Sequence, residues 1–231
     1  MAKIVDILNE FLREIEKDNP YKLIGKGGTI LSLFYLSRHR ESEDLDFDTT
    51  LERSQSKNIE AYFISILEQL KAKGLINSYS KGKSGLAATN RYHMNIALET
   101  YKTFHTKIDV DFVESAKSLE KKGEFLYYPI ERLFIGKLIT FINRKEFKDV
   151  YDIAHMISKV DLKVFNDNQN VAKLIDDALK TIETEDIVSL YKKAFRNVDL
   201  RFKSLKASEI GSFVETLVKD LRVLRNKIRR T

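Results

Sequence analysis

Three aspartates alternate with two apolar residues in the segment DLDFD, residues 44–48. Alternation with a period of two predicts a β-strand, on which residues two apart point to the same face, roughly 6–7 Å from each other. Asp44 and Asp46 therefore project together, and Asp48 lies further along that face. Carboxylates this close repel one another unless they are protonated, solvated or paired with a cation. The segment is thus either a strand with a solvated polar face or part of a site that holds a cation.

A second segment, KIDVDF at residues 107–112, repeats this arrangement. Asp109 and Asp111 point to one face of the predicted strand, and the apolar residues between them point to the other. If the two strands are neighbours, their aspartates form an oxygen-ligand site suited to Mg²⁺, which takes one or two carboxylates, waters and substrate phosphates. Two such ions about 4 Å apart stabilise the attacking and leaving oxygens of a phosphoryl transfer. The alternative is two unrelated, solvated strand faces.

A glycine pair precedes the first acidic strand by one helix. Gly27, Gly28 and Thr29 lie between a strand candidate, KLIG, and a helix predicted over residues 28–37. Glycine lets the backbone approach a ligand closely, and the start of a helix offers unpaired N–H groups. Thr29 or Lys26 is placed to help hold a phosphate. The combination predicts a phosphate-binding turn that faces a metal site.

The elements that position these residues divide the chain into a mixed α/β half and a helical half, which predicts the α+β class. Strands are also predicted at residues 75–81, 88–102 and 105–114, with a hairpin loop at 81–88. Helices are predicted over residues 3–17, 28–37 and 56–73, and in five segments that begin at Pro129, Glu146, Asn170, Glu185 and Glu209.

Composition limits the class of protein. The chain has 231 residues, no cysteine and a net charge of +6, and no apolar run reaches the roughly 18 residues of a membrane-spanning helix. The first residues mix charge into their apolar positions, unlike a signal peptide, and we expect a cytoplasmic protein without a membrane partner. His39, His93, His105 and His155 show no metal-ligand spacing, so no zinc site is expected. The basic C-terminal segment RVLRNKIRR is either a solvated helix face or a patch for an RNA backbone.

The motif KGGT, followed by R-x-S-x-D-L-D-F with Arg40, Ser42, Asp44 and Asp46, resembles the signature of the AbiEii/AbiGii-type nucleotidyltransferases of the polymerase β-like superfamily. A later pattern, a helical lysine and an arginine before R/K-D-x-x-D, extends the resemblance over about residues 22–155. This sequence supplies that pattern with Lys137, Arg144, Lys148, Asp149 and Asp152.

The resemblance implies a nucleotidyltransferase-fold mixed sheet flanked by helices, followed by a C-terminal helical bundle. We place the first domain at residues 1–125 and the bundle, which contributes to the active-site cleft, at 126–231. Asp44 and Asp46 are expected to hold Mg²⁺ or Mn²⁺. Asp109, chosen by its place in KIDVDF with Asp111 as the alternative, is expected to be the third metal ligand.

The same resemblance assigns roles to the residues around these carboxylates. Lys137 and Asp149 are expected to be further active-site residues. The triphosphate is expected to bind near Lys26, Gly27, Gly28, Thr29 and Ser42.

Simpler explanations exist for the second pattern. Lys137 lies on an apolar helix, where a lysine packs its stem and extends its ammonium group to water. Asp149 and Asp152, three apart on a helix, are also explained by surface salt bridges with Arg144 or Lys148.

The predicted function is transfer of a nucleoside monophosphate from a nucleoside triphosphate to an acceptor hydroxyl, with RNA or tRNA as the favoured acceptor. Members of the family look like toxins of toxin–antitoxin or phage-defence systems, so a cognate antitoxin is an expected partner. The alternative is a catalytically inactive nucleotidyltransferase-fold protein that binds RNA or protein. The retained repulsion between Asp44 and Asp46 favours the enzyme.

Overall fold

The computed structural model describes residues 3–87, 89–165, 168–196 and 205–230. The chain folds into two units, neither of which is continuous in sequence. The first unit comprises Met1–Leu33 and Ser42–Pro129, and the second comprises Phe34–Glu41 and Ile130–Thr231. A short segment ahead of the acidic strand therefore belongs to the helical unit.

A seven-stranded mixed sheet forms the first unit. Its strands are β1 (Ile24–Lys26), β2 (Leu45–Thr49), β3 (Ser78–Leu86), β4 (Arg91–Glu99), β5 (Thr103–Phe112), β6 (Glu120–Lys122) and β7 (Phe125–Tyr127). Their order across the sheet is β3-β4-β5-β2-β1-β7-β6. β2 is parallel to β5 and β1 is parallel to β7, whereas the other neighbours are antiparallel.

One face of this sheet is covered by helices, and the other is polar. The helices of the unit are α1 (Ile4–Lys17), α2 (Gly27–Ile30), which continues as a π-helical turn (Leu31–Tyr35), and α3 (Ser56–Ala72). Alternate residues of the central strands are buried, as a half-covered sheet requires. Between helices and sheet lies an aromatic cluster in which the Phe63 ring centroid is 5.7 Å from that of Phe11 and 5.9 Å from that of Phe47.

The second unit is a bundle of amphipathic helices. They are α4 (Ile130–Arg144), α5 (Phe147–Met156), α6 (Asn168–Thr184), α7 (Ile187–Arg196) and α8 (Ile210–Ile228). α6 packs against both α4 and α8, and it buries Val171, Ile175 and Leu179. Within the described ranges no helix is long and apolar enough to cross a membrane.

The structure confirms the α+β class and the other predicted helices, but the helix predicted over residues 28–37 is only α2 and the π-helical turn, which ends at Tyr35. It also differs from the prediction in the strands. Residues 81–86, predicted as part of a hairpin loop, belong to β3. The glycines there suggested a turn, but β3 lies at the edge of the sheet, where a register irregularity between Lys81 and Ser84 accommodates them. The connection to β4 instead lies between Leu86 and Arg91.

The β6–β7 hairpin was not predicted. Both strands have only three residues, too few to show an alternating pattern. Gly123 forms its turn with a φ of +58°, and a Cβ there would overlap the backbone carbonyl oxygen of Glu16. The hairpin matters because β7 pairs with β1 and completes the sheet beside the glycine turn.

We expect Phe63→Ala to destabilise the first unit by about 3–5 kcal/mol, since it removes a fully buried ring from the aromatic cluster. Leu86→Ala, at a side chain that is 44% exposed on β3, is the control and should change stability little. Chemical denaturation followed by circular dichroism measures both variants. Equal stability of the two would contradict the assigned core.

Candidate active site

The aspartates of the two acidic segments lie on one face of neighbouring strands, as the alternation predicted. β2 and β5 pair in parallel, with Asp46 opposite Asp109 and Asp48 opposite Asp111. Residues directly opposite each other in a sheet share a face. Asp44 immediately precedes β2, is exposed, and accepts a hydrogen bond from the backbone N–H of Lys107 on β5 at 3.2 Å.

Gly27 allows the Asp46 carboxylate to lie against the backbone of the glycine turn. Its φ is +76°, in the left-handed region that favours glycine, and a Cβ added there would overlap Asp46 Oδ2. Both the backbone conformation and the close approach therefore require glycine. The turn and the acidic strand form one local structure.

Two hydroxyl groups connect the start of α2 to the residue that precedes β2. The buried Thr29 hydroxyl donates to the backbone carbonyl of Asp44 and shares a 3.0 Å hydrogen bond with the hydroxyl of Ser42. These contacts fix the approach of the chain to β2. The side chains of Thr29 and Ser42, both predicted to bind nucleotide, thus have a structural partner in each other.

A ladder of alternating charges crosses the sheet next to the Asp46–Asp109 pair. Arg91 on β4 binds Asp111 through two nitrogens, at 2.6 and 2.8 Å, and Lys26 on β1 binds Asp111 at 2.6 Å and also Asp48. The Tyr128 hydroxyl donates to Asp48 at 2.6 Å. Burial acts to raise the pKa of Asp111, but the hydrogen bonds from Arg91 and Lys26 outweigh it, and the pKa is lowered. Asp48 and Asp111 are therefore both paired with protein cations.

The ladder bears on two predicted site residues. The Lys26 ammonium group lies between two carboxylates, which use two of its three N–H donors and leave at most one for a phosphate oxygen. Asp109, in contrast to Asp111, has its Arg91 contact at 3.9 Å. Arg91 thus pairs less tightly with Asp109, in the row of Asp46, than with Asp111, in the row of Asp48; these are called the inner and the outer row.

The carboxylates fit a hard divalent cation. Within the described ranges no three His, Cys, Asp or Glu side chains converge on one point as a ready-made metal cluster. The pairing of Asp46 with Asp109, with Asp44 at the strand entry, nevertheless offers oxygen ligands from neighbouring strands. Mg²⁺ needs only one or two carboxylates when waters and substrate phosphates complete its coordination.

In the helical unit, Asp152 is the centre of a buried ion-pair network. Arg40 binds it with two nitrogens, at 2.6 and 2.7 Å, and Lys137 Nζ lies 2.7 Å away. His39 Nε2 is also 2.7 Å from it. Burial acts to raise the pKa of Asp152, but the charges of Lys137 and Arg40 hold it well below the ordinary value. The network joins the segment 34–41 to α4 and α5.

Asp149 extends this network on α5. It is fully buried and accepts hydrogen bonds from Lys137 at 3.0 Å and from Arg144 at 2.7 and 2.8 Å. Burial acts to raise its pKa, but these two cations lower it overall. Neither simpler explanation holds: Lys137 is only 7% exposed and does not extend to water, and the carboxylates that it binds are not at the surface. Lys148, also part of the pattern, pairs with Glu146 instead.

The basic C-terminal helix has acidic partners on α6. Arg225 and Arg229 both bind Asp176, at 2.7 and 2.5 Å, and Arg222 binds Glu183 at 3.0 Å. These pairs join two helices of one unit and account for much of the basic character of the segment. Arg222 and Arg229 nevertheless stay more than half exposed, so these surface pairs leave both explanations of the segment open.

Sequence reasoning missed the partners of the outer aspartates. Arg91 and Tyr128 reach Asp111 and Asp48 only because of the pairing and register of β4 and the chain after β7. The segment NRYHMN has several polar residues, but the sequence of one strand does not show which residues of another strand lie opposite it. The signal that could have helped is period-two alternation, which places Arg91 and His93 on one face of β4.

A mixed sheet, a glycine turn against an Asp-x-Asp strand, and a second acidic strand in register define the class: this is the nucleotidyltransferase fold. The structure is similar to the crystal structure of JHP933 from Helicobacter pylori, with a TM-score of 0.71 and 17% identity over 100% of this chain and 95% of that one. A second structure from Helicobacter pylori, described as a nucleotidyltransferase, has a TM-score of 0.68 and 18% identity, over 98% of this chain and 95% of that one. MenT4, a nucleotidyltransferase toxin from Mycobacterium tuberculosis, has a TM-score of 0.51 and 15% identity, over 96% of this chain and 92% of that one.

The chain belongs to the family of the nucleotidyl transferase AbiEii toxin of type IV toxin–antitoxin systems, whose sequence model matches residues 11–222. This membership confirms the resemblance seen in the motifs and supports nucleotidyl transfer as the general activity. No curated protein matches the sequence significantly.

We expect Asp152→Asn to lower the free energy of unfolding by about 3–5 kcal/mol at pH 7, because it leaves Arg40 and Lys137 buried without their shared carboxylate. In the wild type, Asp149 and Asp152 have pKa values below the ordinary value of about 3.9, so the unfolded state binds more protons in acid. The stability from these groups is complete above about pH 5 and is lost as the pH falls through the folded pKa values.

Denaturation curves between pH 7 and pH 3 test this expectation. Asp152→Asn should flatten the decline of stability in acid, whereas the control Asp177→Asn, at an exposed position of α6, should preserve it. An unchanged acid profile in Asp152→Asn would mean that the network does not govern acid stability.

Proposed function

We propose that this protein transfers a nucleoside monophosphate from a nucleoside triphosphate to an acceptor hydroxyl and releases pyrophosphate. The observation that carries the proposal is the contact between the Asp46 carboxylate and the backbone of Gly27, with Asp109 opposite Asp46 in the sheet. It supports the proposal because a glycine turn suited to phosphate and carboxylate oxygens suited to a cation lie side by side. Family membership supports the same activity.

Asp44, Asp46 and Asp109 are the residues proposed to hold Mg²⁺ or Mn²⁺. When bound, the metal ion would neutralise charge on the phosphate oxygens. Asp109 is preferred to Asp111 as the third carboxylate, because both oxygens of Asp111 are already bound by protein cations. In this proposal Asp48 and Asp111 stabilise the sheet and do not contact the substrate.

The glycine turn is proposed to bind the triphosphate through its backbone. The first N–H groups of a helix have no partner within the helix, and those of Gly28 and Thr29 at the start of α2 are the groups proposed to bind phosphate oxygens. The Thr29 and Ser42 side chains hold the turn in place through their mutual hydrogen bond. Lys26 contributes positive charge nearby while it neutralises Asp48 and Asp111.

In the reaction, the oxygen of the acceptor hydroxyl forms a bond to the α-phosphorus, and the bond from that phosphorus to the bridging oxygen of the β-phosphate breaks. Pyrophosphate leaves, and the hydroxyl proton passes to Asp109 or to a water that it holds. The protein mainly positions charges here, which is typical of phosphoryl transfer. We propose a positioning role for Lys137 and Asp149, because they bind each other in a buried network.

The biological role proposed is that of a toxin acting on RNA, with tRNA as the favoured acceptor and a cognate antitoxin as its partner. The family supports the toxin role through its type IV toxin–antitoxin membership. A protein hydroxyl is the alternative acceptor. A catalytically inactive binding module is the alternative function, and the retained carboxylates on β2 and β5 speak against it.

We expect the full chain to move label from an α-phosphate-labelled nucleoside triphosphate onto RNA in the presence of Mg²⁺. Asp46→Asn should lower transfer by about 10²–10³-fold, as removal of one charge-stabilising group does. Chelation should abolish transfer, and Mn²⁺ should restore it. Each of the four triphosphates is tested with and without total RNA.

Glu52→Gln, which removes an exposed carboxylate shortly after β2, is the matched control and should transfer label at the wild-type rate. Absence of transfer to any acceptor with every triphosphate would overturn the proposed activity. Label that appears on protein in the absence of RNA would identify the alternative acceptor.

Asp109→Asn and Asp111→Asn should separate catalysis from stability. Asp109→Asn should abolish transfer but keep or slightly raise the free energy of unfolding, because it relieves repulsion with Asp46. Asp111→Asn should lower that free energy by about 1–2 kcal/mol, less than for a fully buried pair because Arg91 is half exposed. Transfer assays and denaturation on both variants measure this. Loss of transfer only in Asp111→Asn would reverse the assignment.

A further inference from the structure

Arg91 reaches from one row of aspartates to the other. It lies on β4 directly opposite Asp111 of β5, whereas His93, two residues further along β4, lies opposite Asp109. Long side chains also reach the diagonal neighbour across a pair of strands. Two nitrogens of Arg91, Nε and Nη2, bind the two oxygens of Asp111 at 2.6 and 2.8 Å, and Nη1 lies 3.9 Å from Asp109 Oδ2. The guanidinium group therefore lies against a carboxylate of each row.

The pairing with Asp111 fixes the direction in which Arg91 points. Because the guanidinium group is planar and rigid, binding one carboxylate with two nitrogens also sets where the third nitrogen lies. Lys26 of β1 binds the same Asp111 at 2.6 Å, so this anchor is itself held in place. The hydrogen bond to Asp111 raises the pKa of Arg91 despite partial burial, and the charges of Asp109 and Asp46 add to the rise. Arg91 is thus a fixed cation beside the inner row.

One oxygen of Asp109 is turned toward this cation. Oδ2 is the oxygen at ion-pair distance from Arg91 Nη1. An oxygen directed at an arginine is less available to a metal ion, so Oδ1 remains as the better ligand atom of Asp109. Side chains that touch a ligand rather than the metal orient the ligands of many metal sites in this way.

The number of oxygens that a carboxylate gives distinguishes Mg²⁺ from Ca²⁺. Mg²⁺ demands a near-ideal octahedron of short bonds, and the two oxygens of one carboxylate lie too close together to fill neighbouring positions of it. Ca²⁺ is larger and more flexible in its coordination, and it accepts both oxygens of one carboxylate. An aspartate that is limited to one oxygen therefore favours Mg²⁺ over Ca²⁺.

We propose that Arg91 is a positioning residue that makes Asp109 a one-oxygen ligand and thereby selects Mg²⁺ or Mn²⁺ over Ca²⁺. The inference rests on the proposed metal site for nucleotidyl transfer and adds what decides which cation that site accepts. Arg91 acts through Asp109 and contacts neither the cation nor the substrate. Its charge alone does not produce the selection, because Mg²⁺ and Ca²⁺ carry the same charge.

The test compares the cation selectivity of the full wild-type chain with that of two Arg91 variants. Mn²⁺ binding is followed by water-proton relaxation enhancement, with Mn²⁺ alone and with a triphosphate analogue whose α,β-bridging oxygen is replaced by a methylene group, so that no transfer occurs. Bound Mn²⁺ is then displaced with Mg²⁺ or with Ca²⁺. Arg91→Lys keeps the positive charge without the planar fork, and Arg91→Gln removes the charge. Arg13→Gln, at an exposed arginine of α1 that pairs with Glu10, is the matched control.

In the wild type and in Arg13→Gln, Mg²⁺ should displace Mn²⁺ at a lower concentration than Ca²⁺ does. In both Arg91 variants the ratio of Ca²⁺ affinity to Mg²⁺ affinity should rise about tenfold, the lower end of the effect of changing a ligand's partner. Loss of a positive charge strengthens the binding of both ions alike, so the ratio reports the geometry of Asp109. A residue that only stabilised the sheet would lower the free energy of unfolding, measured on the same proteins, and leave the ratio unchanged.

Four results separate the possibilities. An unchanged ratio in both Arg91 variants would overturn the inference and leave the proposed transfer standing. A shift in Arg91→Gln without one in Arg91→Lys would assign the effect to charge and overturn the inference as well. Absence of Mn²⁺ binding to the wild type at millimolar concentration, with and without the analogue, would overturn the metal site and the inference together. If the ratio shifts in both variants but the wild type transfers no label, the inference stands and the proposed activity fails.

Discussion

Electrostatic repulsion among carboxylates on one sheet face is the constraint on which the first unit depends. β2 and β5 place Asp46 opposite Asp109 and Asp48 opposite Asp111, in two adjacent rows. Lys26 and Arg91 neutralise the outer row, and the Tyr128 hydroxyl adds a hydrogen bond there. The sheet is therefore stabilised next to the proposed site by protein cations. Asp46 and Asp109 form the other row, and these are carboxylates proposed to hold a cation.

The helical unit solves a related problem in a buried setting. Desolvation makes a buried carboxylate costly unless cations and hydrogen bonds surround it. Arg40, Lys137 and His39 contact the Asp152 carboxylate. Lys137 and Arg144 bind the Asp149 carboxylate. The signature R-x-S-x-D-L-D-F consequently serves two units, because Arg40 stabilises the helices while the residues from Ser42 onward belong to the sheet. One short motif therefore supplies residues that stabilise two different units.

Local patterns in the sequence predicted much of this protein, and long-range pairing accounts for what they missed. Period-two alternation was enough to find β2 and β5 and to place their aspartates on a shared face, because that signal is local. It did not reveal that Arg91 binds Asp111 or that Lys26 lies between two carboxylates, because both contacts depend on strand order and register. The arginines of α8 looked available for RNA for the same reason: their partners on α6 lie some forty to fifty residues away in sequence.

The glycine turn also affects how the sequence can change over time. An aspartate in the site can be replaced by the isosteric asparagine with little change in shape, so such variants should fold even where transfer is lost. Gly27 has no comparable conservative replacement. Even alanine would be strained by the positive φ, and its Cβ would overlap the Asp46 carboxylate. Any side chain at Gly27 would therefore disturb the turn and the acidic strand together.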